Sequence, residues 1–105
     1  MMIRRIMMAI ALIASVLVSA ASAEDDKALA ARLDRECNAE CANYKAQAKG
    51  GSMRATYEAA TCLCACFWRG VPKDYPARPQ YLACAKDNAA KAAKLGSDAA
   101  VIKGF

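Results

Sequence analysis

The chain has 105 residues, 57% apolar and 24% charged, with 15 basic against 10 acidic side chains, six cysteines and no histidine. That length makes one small domain, and without histidine neither a conventional hydrolase triad nor a histidine-containing metal site has its usual member. The modest positive charge is dispersed along the sequence, which excludes a nucleic-acid patch and leaves at most a weak attraction to anionic envelope surfaces.

Residues 1–23 read as a cleaved secretory signal peptide. Met1 to Arg5 is basic, Ile6 to Val18 is continuously apolar, and Ala21-Ser22-Ala23 offers small residues at the cleavage positions. The apolar run is too short to span a bilayer, and Glu24, Asp25 and Asp26 follow at once, so no transmembrane segment is expected in the mature chain. Residues 24–105 then form a single disulfide-rich domain, periplasmic or secreted. Losing Arg4 and Arg5 leaves it 13 basic and 10 acidic residues.

The mature chain reads as all-α. From Asp25 to Lys49 there is no proline or glycine, and Ala30, Leu33, Cys37, Cys41, Tyr44 and Ala48 recur at helical steps. The early acids suit the positive end of a helix dipole. Gly50-Gly51 supplies a stop, and Ser52 a cap for a second helix over Met53 to Arg69. That helix carries two stripes, Ala55, Ala59, Cys62 and Cys66 on one and Tyr57, Ala60, Cys64 and Phe67 on the other, so it should have two neighbours. Gly70-Val71-Pro72 ends it. Pro79 suits the first turn of a third helix that turns Tyr81, Cys84, Ala85, Asn88, Ala92 and Leu95 inward and stops at Gly96. Ser97 is expected to cap one more short turn, Asp98 to Ile102.

Six cysteines in a short exported chain imply a disulfide framework with 15 formal pairings. Helical pitch selects among them. Cys37 and Cys41 lie one turn apart on one face, as do Cys62 and Cys66. If the first two helices fold back on each other, residues at equal height share a midpoint. Cys37 with Cys66 and Cys41 with Cys62 both centre between 51 and 52, inside the Gly-Gly-Ser turn. Cys64 points about 200° away from Cys62 and needs a different partner. Its midpoint with Cys84 is Asp74, inside the proline-bounded loop. The expected architecture is therefore a disulfide-stapled antiparallel helical hairpin plus a third helix.

The twin Cys-x3-Cys spacing from Cys37 to Cys66 resembles the small mitochondrial intermembrane-space chaperones and the plant α-hairpinin peptides. The resemblance implies a bridged helical hairpin, together with chaperone, defence or inhibitor roles. This chain departs from both classes by its secretory leader, by a 20-residue inner spacer over 42–61, by Cys64 and by a third helix carrying Cys84.

Cys62-x-Cys64-x-Cys66 also has the density of a thiolate site for a soft metal. On a helix, however, Cys64 diverges from its neighbours, and exported thiols oxidise. The favoured reading is structural bridging, with no metal and no cofactor. A redox role would want an exposed Cys-x-x-Cys, and that spacing is absent.

Phe67, Trp68, Arg69 and Tyr75, together with Tyr81, gather about the prolines in a composition typical of binding hot spots. In so thin a domain the same rings also serve to close the bundle end. Lys86, Lys91 and Lys94 give the third helix a basic side, and Lys49 and Arg54 flank the hairpin turn. The expectation is a non-enzymatic structural or interaction module with a protein partner. The alternatives are a thiol-dependent metal or redox protein and an α-hairpinin-like inhibitor or defence peptide.

Overall fold

The computed structural model describes residues 25–105, and the expected signal peptide lies outside them. Five helices follow in order: α1 (Asp26–Glu40), α2 (Ala42–Ala48), α3 (Met53–Gly70), α4 (Arg78–Lys94) and α5 (Ala100–Lys103). The described residues are all-α and contain no strand. The chain divides into two compact units, residues 1–30 and 31–105. Of the first, residues 25–30 are described: Asp25 Oδ1 accepts the Ala28 N–H at 2.7 Å, and the Asp25 carbonyl accepts that of Leu29. Asp25 is thus the side-chain cap of the first turn of α1.

In the second unit the expected first helix is nearly continuous. It is interrupted at Cys41, whose φ and ψ are −97° and 12°. The hydrogen-bond ladder survives the interruption, since Cys41 N–H donates to the Cys37 carbonyl and Lys45 N–H to that of Cys41, both at 3.0 Å. The chain reverses at Gly51, whose φ of 88° only glycine adopts freely. Ser52 Oγ then accepts the Ala55 N–H and caps α3.

Central helix α3 packs against α2, α4 and α5, and two disulfides join it to the α1–α2 limb. Its inner surface is only partly the expected one. Ala55, Ala59 and Cys62 are buried, but so are Glu58, Thr61 and Ala65, whereas Ala60 is half-buried. Thr61 is tolerated inside because its hydroxyl donates to the Tyr57 carbonyl at 2.8 Å, within its own helix. At the far end Gly70 does more than stop the helix. A Cβ there would meet Leu33 Cδ2 at 2.2 Å, so the missing side chain is what admits Leu33, itself 3% exposed.

Loop 71–77 is folded by turns, with Tyr75 N–H on the Pro72 carbonyl and Arg78 N–H on that of Tyr75, both at 3.0 Å. Pro79 stands in the first turn of α4. That helix ends in a Schellman arrangement around Gly96, at φ 85°: Ser97 N–H reaches the Ala92 carbonyl and Gly96 N–H that of Ala93.

Two expectations about this end are corrected. Leu95 is not turned inward but is 48% exposed, because Ala89 and Ala92 form the inner face and Ile102 of α5 covers them. Nor does Ser97 cap the last helix. Its hydroxyl donates to buried Glu58, and α5 starts after Ala99. In the first unit, Ala30 is exposed, although the helical stripe read from the sequence includes it.

Within residues 31–105 the core is thin, built mostly from alanine and cysteine with Leu33, Val71 and Ile102 as its larger aliphatic members. Alanine buries little area, so the bridges supply what packing does not. For loops of 20 to 29 residues each is worth about 3 kcal/mol by the chain-entropy relation.

Candidate functional site

The six cysteines form three pairs: Cys37–Cys66, Cys41–Cys62 and Cys64–Cys84, with Cα–Cα distances of 5.7, 5.8 and 5.9 Å. These are the pairs selected by equal height on the helices. No cysteine is free. Cys37, Cys41 and Cys62 are buried, while Cys64, Cys66 and Cys84 are half-buried. Cys64 therefore shares no site with Cys62 and Cys66. Instead the fold brings Glu40 beside Cys41 and Cys62, the carboxylate oxygen and both sulfurs lying within 4.8 Å of one another. Joined as a disulfide, those sulfurs are not thiolates, and a metal there would first need the bridge reduced. Three bridges in so short a helical chain point to an oxidising, extracytoplasmic compartment.

The aromatic residues form two adjoining contacts near the C-terminal end of α3. Phe67 stacks on Tyr81 of α4, ring centroids 5.5 Å apart and planes at 29°. Trp68 meets Phe105 edge-on, at 6.4 Å and 75°, and Arg78 lies over its face with Cζ 4.8 Å from the centroid. Arg78 Nε is buried without a hydrogen-bond partner, and the indole face lies against the guanidinium it belongs to. Arg69 leaves the cluster and pairs with Glu40 of α1 at 2.8 Å, both side chains half-exposed. Tyr75 is half-buried in the loop.

Sequence reasoning singled out Trp68 but named neither Arg78 nor Phe105, which the structure places against it. The only sequence signal for Phe105 is its place three residues after Ile102, which puts it on the same side of a final helical turn.

The opposite end, where α3 begins and α4 finishes, is basic and partly apolar. Met53, Tyr57, Lys91, Lys94 and Leu95 line a shallow cleft of about 310 Å³. Lys91 pairs with Asp87 at 3.1 Å and stands 5.7 Å from the centre of the Tyr57 ring. The hydrogen bond that Lys91 donates to Asp87, and then the carboxylate's negative charge, raise the Lys91 pKa above the ordinary 10.5. A second groove, of about 490 Å³, runs between α2 and α3, with Lys45 and Lys49 at its rim above Ala59, Ala60 and Leu63.

Among the described residues no helix is long and apolar enough to cross a membrane. No family model matches the chain, and neither the curated proteins nor the solved structures contain a match.

Proposed function

We propose that this is a non-enzymatic, exported interaction module whose bridged helices hold the Trp68 end for a protein partner. The observation that carries the reading is the grouping of Trp68, Arg78 and Phe105, from three separate elements, on a scaffold fixed by three disulfides. Phe105 is 36% exposed and Trp68 half-buried, so the cluster is open to a partner while already ordered. Pre-ordered aromatic and arginine side chains lose little conformational freedom on binding, which is why they dominate hot spots. The signal-like leader and the oxidised cysteines support periplasmic or secreted placement.

Crosslinking in the native envelope tests this reading. Trp68→Ala should abolish a crosslinked species that Tyr44→Ala, on the other limb, leaves in place. If every crosslink survives Trp68→Ala, the rings serve only to close the bundle.

The thiol or metal reading rests on Glu40 beside Cys41 and Cys62. Alkylating the protein as extracted and weighing it separates the two: modified thiols or a bound metal would favour thiol chemistry over the interaction module.

A further inference from the structure

We propose that the hairpin-turn end, opposite the Trp68 cluster along α3, is a docking surface for an anionic lipid bilayer. Two of the large apolar side chains standing open to solvent, Met53 at 57% and Leu95 at 48%, share one cleft although they come from different helices. Phe105, also exposed, is engaged with Trp68 at the other end. Around Met53 and Leu95 the charge is one-sided. Residues 41–57 contain Lys45, Lys49 and Arg54 and no acid, and residues 88–97 contain Lys91 and Lys94 and no acid.

Glu58 is buried and accepts from Ser97, and Asp87 cancels the charge of Lys91, with which it pairs, leaving Lys45, Lys49, Arg54 and Lys94 as the cations of this end. That leaves Asp98 as the exposed acid next to the Gly96 turn.

Two aliphatic tips ringed by cations suit the boundary of an anionic bilayer, where apolar side chains enter the acyl region and lysines extend to the phosphates. A folded acidic protein would be met better by arginine forks in fixed geometry than by the lysines that dominate here. The surface is distinct from the aromatic end, so the inference stands whether or not Trp68 binds a protein.

The test is sedimentation of the disulfide-intact protein with phosphatidylcholine vesicles, alone or mixed equally with phosphatidylglycerol. Binding is expected only to the mixed vesicles and should weaken with salt. Arg54→Glu with Lys94→Glu should reduce it by roughly fivefold for each cation removed. Arg35→Glu with Lys73→Glu makes the same change in net charge elsewhere and should leave binding near that of the unaltered protein. Met53→Ser with Leu95→Ser should weaken binding without altering its salt dependence. The proposal is overturned if phosphatidylglycerol makes no difference, if the two charge-reversed pairs weaken binding equally, or if neither does.

Discussion

Along the seam between the α1–α2 limb and α3, two disulfides link the helices, with Cys37, Cys41 and Cys62 buried, and α2 itself contributes no buried residue. Along the seam between α3 and α4 there is one bridge, Cys64–Cys84, and it is half-buried. That second seam has other support: Ala89 and Ala92 beneath Ile102, the Phe67–Tyr81 stack, and the Ser97 hydroxyl on buried Glu58. One side of α3 is held mainly by covalent links and the other mainly by packing. The difference teaches that bridges of nearly equal Cα–Cα distance do not mean equal dependence on cysteine.

Replacing Cys37, Cys41, Cys62 and Cys66 together by alanine should break the contrast most severely. Each lost bridge removes about 3 kcal/mol, and α1 and α2 have little packing left to retain them. Hydrogen exchange should then show the amides of α1 and α2 unprotected while α4 keeps its protection. The Cys64→Ala, Cys84→Ala pair should lower the urea midpoint without unprotecting α4. Loss of α4 protection in that variant would show that the second seam depends on its bridge after all.

Ile102→Ala probes the packed seam in the opposite sense. Removing a buried aliphatic side chain should destabilise by about 2 to 4 kcal/mol in urea melts and expose the Ala89–Ala92 face. Gly70→Ala attacks the bridged seam without touching sulfur, because its new Cβ would collide with Leu33 Cδ2. The expected loss is about 1 to 2 kcal/mol, and the same substitution should cost less when made in a Leu33→Ala background. An unchanged melt would mean that Leu33 finds other space.

The smallest effect belongs to the exposed Lys91–Asp87 pair. The Lys91 pKa is raised in the folded state, so its contribution is fully present below the unfolded value near 10.5 and is lost as pH rises through the folded value. Asp87→Asn should therefore lower stability slightly at neutral pH, and the gap from the unaltered protein should close under strongly alkaline conditions. Parallel curves throughout would refute a role for the pair.

Much of the fold was legible because its signals are local. Gly50-Gly51-Ser52, Pro79 and Gly96 end or begin helices through their own backbone chemistry, and each does so in the structure. The candidate site was less legible. Trp68 stands out in the sequence, but its neighbours Arg78 and Phe105 are 10 and 37 residues away, with no spacing that ties either to Trp68. Arg69, which reads as a contact residue beside Trp68, instead crosses to Glu40, because successive residues on a helix face different directions.

The sequence by itself determined the helices, their stops and the heights at which cysteines meet, since helical pitch fixes the direction of each thiol from its number alone. Only the tertiary structure decided what depends on distant chain segments sharing space. Gly70 yields to Leu33, Glu58 is buried under Ser97, Phe105 turns back onto Trp68, and Leu95 is left in solvent because Ile102 has taken the inner face. Those outcomes follow from competition for a small buried volume, and periodicity along one helix carries no information about which competitor arrives from another.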